Sequence, residues 1–185
     1  MPSERAKTAS ETSTKTADDS ELNFSRIIDA PRELVFRVWT EAKHFAQWFA
    51  PHAVAISFCR IDPRAGGELH FCHRLDDGME VWVKGVYREV VAPQRLVFAL
   101  GFVDSDGRPA AHPMFPDWPL DTVILTTVIF ADVNGKTRLT VRQVLGSTLR
   151  ATSDAFKRER KGAQVGWTET LERLETYVRA KTSAP

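Results

Sequence analysis

The segment from residue 28 to residue 67 places two short apolar stretches between sequences typical of strands. The first begins at Pro31, which suits the first position of a helix because the N–H that it lacks would be unpaired there. Its apolar side chains lie on one helical face and end at Trp39. The second ends at Trp48, and Pro51 stops it. The segment therefore predicts two short helices that close one end of a curved antiparallel sheet around a cavity.

The rest of the chain shows alternating apolar and polar residues typical of strands. About seven strands are predicted, and they cover residues 22–29, 54–60, 68–73, 81–91, 96–102, 121–132 and 136–145. Asn134-Gly135 joins the last two in a hairpin, and an apolar stripe over 153–179 predicts a long C-terminal helix. Because hairpins join consecutive strands, we predict an α+β chain of order β-α-α-β6-α, with a curved antiparallel sheet wrapped on that helix.

Composition indicates one domain and excludes several partners. Residues 1–21 hold few side chains that could be buried, so we expect a disordered arm before a single domain at 22–181. Lys and Arg number 25 against 24 for Asp and Glu, which gives no field that favours nucleic acid or a membrane surface. Two cysteines, no leader-like segment and no apolar run of membrane-spanning length favour a cytoplasmic location.

Five sequence features occur together with this order of elements. They are the Ala30-Pro31 start with Val35, Phe36 and Trp39, the Trp48-Phe49-Ala50-Pro51 stop, the Asp62-Pro63-Arg64-Ala65-Gly66-Gly67 turn, the Pro93-Gln94-Arg95-Leu96 turn, and Gly166-Trp167 with Leu171 and Leu174. From about Asn23 to Val178 the chain resembles the activator of heat-shock-protein-90 ATPase homologue family, within the START-like (SRPBCC, birch-pollen-allergen-like) superfamily. The resemblance implies a helix-grip fold with an apolar cavity between the sheet and the C-terminal helix.

The resemblance also implies what such a cavity does. Many relatives bind small hydrophobic molecules, so we expect this chain to bind one, without a cofactor. A few related families are cyclases, and a cyclase-like or proton-transfer enzyme is the alternative. A cochaperone-type module acting on a heat-shock ATPase is a third hypothesis. The eukaryotic cochaperone carries its activity partly on a separate N-terminal domain, which residues 1–21 cannot supply, and this argues against a chaperone partner.

Apolar side chains on the sheet and the last helix are candidates for the wall of the cavity. They are Phe71, Trp82, Phe98, Leu100, Val141, Phe156 and Trp167. Ordinary core packing is the alternative, but a strongly bent sheet closed by one helix is difficult to fill with side chains alone. His73 and Gln143 share strand faces with apolar neighbours, and either could anchor a polar atom of a ligand.

A long connection and two glycines bear on access to the cavity. Residues 103–119 form a loop longer than is usual in compact domains, and it carries Met114, Phe115 and Trp118. These side chains are costly to expose unless they cover a ligand or a second subunit of a homodimer, so we expect either a lid or a plug. Glycines 162 and 166 interrupt the helical stripe, at about 1 kcal/mol each relative to Ala. They either thin the helix above a ligand or permit a kink or close packing.

Evidence for catalysis or metal binding is sparse. A desolvated His73 is the single candidate for a general base, and a satisfied core histidine is the alternative. No Gly-x-Ser-x-Gly, Walker or dinucleotide-binding pattern supports hydrolysis or nucleotide chemistry. Cys59, His70 and Cys72 lack the spacing of a metal motif, so the cysteines are interpreted as free thiols and no metal is predicted.

Overall fold

The computed structural model describes residues 21–116, 118–145 and 150–183, without the side chains of residues 145 and 150–156. Its elements are β1 (Glu21–Ile28), α1 (Arg32–Thr40), α2 (Ala42–Trp48), β2 (Val54–Ile61), β3 (Glu68–Leu75), β4 (Glu80–Val91), β5 (Arg95–Val103), β6 (Ile124–Val133), β7 (Lys136–Leu145) and α3 (Arg150–Thr182). This order confirms the predicted fold class. Of the arm predicted at 1–21, residues 1–20 lie outside the described residues.

The described strands form one curved antiparallel sheet in the order β1-β7-β6-β5-β4-β3-β2. The β6–β7 hairpin turns at Asn134 and Gly135, both with positive φ, which is the local signal that the sequence carried. Bulges interrupt the pairing of β2 after Ile56 and of β4 after Tyr87. Bulges bend a strand and increase its twist, so they contribute to the curvature of the sheet.

The two short helices pack into one unit at an end of the sheet. Val35, Val38 and Trp39 of α1 are almost completely buried. The indole of Trp48 in α2 lies with its centroid 4.8 Å from that of Trp39, and its Nε1 donates a 3.0 Å hydrogen bond to the carbonyl oxygen of Val38. Because the donor is buried and paired, this bond fixes the relative position of α1 and α2.

Helix α3 covers the concave face of the sheet. Leu171, Leu174 and Val178 are buried at spacings of three and four residues, as an apolar helical stripe requires. Although α3 is 33 residues long, no helix in the described part of the chain is both long and apolar enough to cross a membrane.

One strand boundary differs from the prediction by more than two residues. Strand β6 begins at Ile124, not at residue 121. The N–H of Thr122 donates to the carbonyl oxygen of Pro119 at 3.0 Å, so a turn occupies the residues that were predicted to start the strand.

Candidate functional site

A cavity of about 420 Å³ lies between the concave face of the sheet and α3. Its apolar lining comes from the sheet, the segment after α2, the loop after β5, and α3. The lining residues include Phe49, Pro51, Val54, Phe71, Leu75, Val81, Val83, Leu100, Phe102, Met114, Phe115, Trp118, Ile124, Ala163 and Trp167.

The sheet wall is built by residues that stand side by side on three neighbouring strands. Phe71 of β3 pairs with Val83 of β4, which pairs with Phe102 of β5. Successive side chains of a strand point to opposite faces, so every second residue continues the wall. Val81 and Leu100 therefore lie beside this row and also line the cavity.

Trp82, a predicted wall residue, does not border the cavity. It alternates with Val81 and Val83, which do, and therefore points to the opposite face of the sheet. Its ring packs against Phe58 and His70, with centroids 5.4 Å and 5.5 Å away. The prediction followed the aromatic residue type instead of the strand alternation.

Phe98 and Val141 also lie away from the cavity, within the packed core. Phe98 lies two residues before the lining residue Leu100 on the same face of β5. Val141 lies two residues before the lining residue Gln143 on the same face of β7. Phe98 packs edge-on against Tyr87 at 5.7 Å, and Val141 pairs with Val128. These neighbours fill the space that a ligand would need, so both residues serve the core. The side chain of Phe156, the remaining predicted wall residue, lies outside the described residues.

Trp167 forms a fixed part of the wall on α3. Its ring stacks on Phe24 and Trp39, at centroid distances of 5.8 Å and 6.4 Å. Its Nε1 donates a 2.7 Å hydrogen bond to Oε1 of Gln143, whose Nε2 donates to Oγ1 of Thr126 at 3.2 Å. Gln143 lines the cavity, as do Phe71, Leu100 and Trp167, but both ends of its amide already have protein partners.

The loop after β5 forms a wall of the cavity. Met114, Phe115 and Trp118 all line it, with Trp118 buried and Met114 46% exposed. Trp118 packs with Leu22 of β1 and edge-on against Phe102 at 5.7 Å. These contacts hold the loop residues at the edge of the cavity, so their side chains line the cavity and do not fill it.

Two glycines of α3 lie where the helix passes over the cavity. A Cβ added at Gly162 would meet no atom within 4 Å, and one at Gly166 would meet only Cγ of Pro51, at 3.5 Å. Both glycines line the cavity, so they thin the helix above it, while Gly166 also lies against the segment after α2. Gly162 and Met114 are solvent-exposed as well as lining, which places the opening beside them.

His73 lines the cavity from β3. Its Nε2 lies 2.9 Å from the carbonyl oxygen of Phe49 and must donate, because a carbonyl oxygen only accepts. Burial lowers the pKa of His73 below its ordinary value. The hydrogen bond to Phe49 acts in the opposite direction, and the Arg173 guanidinium lowers the pKa further.

His112 is a lining residue that sequence reasoning missed. It is 8% exposed, and its ring packs edge-on against Phe102 at 4.5 Å and stacks on Phe115 at 4.6 Å. Its Nδ1 accepts a 3.1 Å hydrogen bond from the N–H of Met114. Burial, and secondarily His73, lowers its pKa to about 4. The only sequence signal was a histidine beside apolar residues in a loop without periodicity.

The cysteines and His70 do not form one cluster. In the β2–β3 pairing Cys59 lies opposite Phe71, and Cys72 lies opposite Phe58, so the two thiols are on different faces. Burial raises the pKa of the Cys59 thiol to about 12, which keeps it protonated at neutral pH. Within the described ranges, no three His, Cys, Asp or Glu side chains are grouped so that they could hold a metal ion.

Comparison with known proteins decides the family. A family model described as Activator of Hsp90 ATPase homolog 1-like protein matches residues 29–179. The chain belongs to this family. The match confirms the resemblance drawn from the five sequence features, and it covers both short helices, β2 to β7 and nearly all of α3. No curated protein matches the chain.

Solved structures share the fold of this Activator of Hsp90 ATPase homolog 1-like protein. A protein of Nitrosomonas europaea superposes with a TM-score of 0.71 at 24% identity, over 91% of this chain and 99% of the other. A protein of Arthrobacter aurescens gives 0.72 at 19% identity, over 89% and 90%. One of Silicibacter pomeroyi gives 0.64 at 20% identity, over 87% and 99%. At these identities the likeness concerns the fold alone.

Proposed function

We propose that this protein binds a small, mainly apolar molecule in the cavity between the sheet and α3. The proposal is carried by the size of the unfilled space beside a well-packed core. Protein interiors are packed like organic crystals, with few voids larger than a water molecule. A cavity of about 420 Å³ departs from that rule and falls in the range of roughly 300–1,000 Å³ found for ligand pockets.

The lining favours an uncharged, apolar ligand. Burial of apolar surface contributes about 25 cal/mol per Å², and rings such as those of Phe71, Phe102 and Trp167 offer a large area for contact. Among the described lining residues, Glu159 is the single carboxylate, and no Lys or Arg lines the space. An anionic ligand would therefore lack a cationic partner there.

The protonation chemistry of the cavity supports binding better than catalysis. General bases work best when their pKa is near the operating pH, whereas His112 has a pKa of about 4 and His73 is also lowered. Both ends of the Gln143 amide are engaged with Thr126 and Trp167. The two imidazoles are therefore suited to orienting a bound molecule, and the Gln143 amide is held in place as part of the wall.

A fluorescence titration with N-phenyl-1-naphthylamine, an uncharged apolar probe, tests the proposal. We expect saturable binding of one probe per chain. Gly162→Trp, which places an indole at the opening, should weaken binding at least tenfold. Val165→Trp is the matched control, since Val165 is 52% exposed on the same helix and does not line the cavity. Both changes add the same side chain to α3.

Two results would contradict ligand binding in this cavity. One is a fluorescence increase that never saturates, which indicates nonspecific surface binding. The other is an equal loss of affinity in Gly162→Trp and Val165→Trp, which would place the probe elsewhere on α3. Circular dichroism of each variant checks that the helix is retained.

A further inference from the structure

Two imidazoles reach the same cavity from different elements. His73 lies on β3, and His112 lies in the loop after β5, packed on Phe102. Strands β3 and β5 are separated only by β4, so they are roughly 10 Å apart. Both rings line the cavity, and a ligand that fills it would meet both.

The hydrogen bond of His112 fixes which of its nitrogens carries the proton. Nδ1 accepts from the N–H of Met114 at 3.1 Å, and a nitrogen that accepts cannot itself be protonated. The ring is therefore neutral, with its proton on Nε2. Within the part of the chain that the structure describes, this Nε2–H has no hydrogen-bond partner. His112 thus brings an unused donor to the cavity.

His73 has the opposite arrangement. Its Nε2–H donates to the carbonyl oxygen of Phe49 at 2.9 Å. Burial and the nearby Arg173 guanidinium disfavour a second proton on the ring, so Nδ1 keeps its lone pair. None of the described residues donates to Nδ1. His73 thus brings an unused acceptor to the same space.

We propose that the cavity selects a neutral, mainly apolar ligand through two polar groups, the donor of His112 and the acceptor of His73, which we call its two poles. Nε2–H of His112 donates to a carbonyl-type oxygen of the ligand, and Nδ1 of His73 accepts from a ligand N–H or O–H. A carboxylate is disfavoured, because its negative charge would face the lone pair of Nδ1 and the side chain of Glu159. This specificity rests on the proposed function, since it assumes that a ligand occupies the cavity.

Three tricyclic compounds of nearly equal shape separate the two poles. Fluorene has neither a donor nor an acceptor, 9-fluorenone has only a carbonyl acceptor, and carbazole has only an N–H donor. Each is titrated against protein loaded with N-phenyl-1-naphthylamine, and displacement gives its affinity. Fluorene reports apolar binding alone, and the other two add one polar contact each.

Two substitutions displace one pole each and keep the existing hydrogen bond. In His112→Asn the side-chain oxygen can still accept from Met114, but the remaining amide N–H donors lie closer to the backbone than Nε2–H does. In His73→Gln the amide N–H can still donate to Phe49, but the amide oxygen does not take the position of Nδ1. A net hydrogen bond corresponds to about a tenfold change in affinity. We expect His112→Asn to weaken 9-fluorenone about tenfold and to spare carbazole, and His73→Gln to do the reverse.

The outcomes distinguish this inference from the proposed function. If fluorene displaces the probe but neither variant separates 9-fluorenone from carbazole, the two-pole recognition is wrong and apolar binding stands. If none of the three compounds displaces the bound probe from the wild-type protein, the two-pole recognition is wrong, and ligand binding still stands on the probe titration. Both ideas fail if the probe itself does not bind saturably. A variant that no longer binds fluorene has lost its cavity, and the recognition scheme is then tested by a measurement on the wild-type protein.

The measurement on the wild-type protein determines which ring nitrogen of His73 and of His112 carries the proton. Two-bond ¹H–¹⁵N correlation spectra distinguish protonated from unprotonated ring nitrogens. We expect Nε2 to carry the proton in both His73 and His112 at pH 7, with both Nδ1 atoms unprotonated. A proton on Nδ1 of either ring would overturn the recognition scheme without any variant being needed.

Discussion

The indole Nε1 of Trp167 donates a 2.7 Å hydrogen bond to Oε1 of Gln143, and this bond joins α3 to β7 at the wall of the cavity. Gln143 also donates to Thr126 of β6, which is completely buried. Since a buried amide that loses a partner bears the desolvation cost of the freed group, these contacts hold the wall in one position. The pairing keeps α3 at a set height above the sheet.

Trp167→Phe should show the energy of that bond. The substitution keeps a ring beside Phe24 but leaves Oε1 of Gln143 without its donor. We expect the free energy of unfolding to fall by about 1–3 kcal/mol, measured by urea denaturation. Trp82→Phe is the control, because the Trp82 indole donates to the exposed Glu80 on the other face and should lose less than about 1 kcal/mol. Equal losses would contradict a structural role for the Gln143 contact.

Gly162→Ala should stabilise the protein. A Cβ at this position meets no atom within 4 Å, so the gain in helix propensity, about 1 kcal/mol, is not offset by a clash. Gly85→Ala is the opposing control, since its Cβ would clash with the carbonyl oxygen of Ala99. The midpoint temperature of thermal unfolding should rise in Gly162→Ala and fall in Gly85→Ala. A loss of stability in Gly162→Ala would mean that the helix does not pass over open space there.

Arg173 fastens α3 to the segment after α2. Its Nη1 donates to the carbonyl oxygens of Ala50, Pro51 and Val54, at 3.1, 2.8 and 2.8 Å, and its Nη2 donates to that of Gln47 at 3.2 Å. Hydrogen bonds from a charged donor contribute about 1.5–3 kcal/mol, and acceptors left unpaired add to the loss.

Arg173→Met should therefore lower the free energy of unfolding by about 2–4 kcal/mol, measured in urea. Arg179→Met changes an exposed arginine of the same helix and should remain within about 0.5 kcal/mol of the wild type. If both variants unfold at the same urea concentration, Arg173 does not hold α3 in place.

The fold could be predicted because its determinants are local in the chain. Pro31, which lies at the N-cap of α1, one residue before the predicted first position, Pro51 after α2, and Asn134 with Gly135 in the last hairpin each carry a conformational preference that the surrounding structure respects. Alternation also gives the face of each strand residue. It places Val81 and Val83 in the wall, and applied consistently it excludes Trp82.

The depth of a residue along its strand could not be read from the sequence. Phe98 and Leu100 share a face of β5, yet only Leu100 lines the cavity, because the core ends between them. That boundary depends on sheet curvature, on bulges such as the one after Tyr87, and on where the loop after β5 folds back. His112 sits in that loop, and tertiary contacts alone bring it to the cavity.

The burial of His112 makes stability depend on pH. Its pKa is about 4 in the folded protein, against an ordinary value of 6.5. Between these values the unfolded chain takes up a proton that the folded chain does not, so the free energy of unfolding falls as the pH is lowered. The contribution is fully present above pH 6.5 and is lost toward pH 4, a total of roughly 3 kcal/mol. His73, whose pKa is also lowered, acts in the same direction.

His112→Asn isolates the contribution of His112 to the pH dependence of stability, since asparagine does not titrate in that range. We expect urea unfolding at pH 7, 5.5 and 4.5 to show a shallower decline in the variant than in the wild type. The free energy of unfolding of the wild type should fall relative to that of the variant as the pH is lowered, because keeping the imidazole neutral costs free energy only below pH 6.5. Parallel pH profiles of the two proteins would show that the ring of His112 takes up its proton as readily in the folded chain as in water, and hence that the loop does not hold it against Phe102 and Phe115.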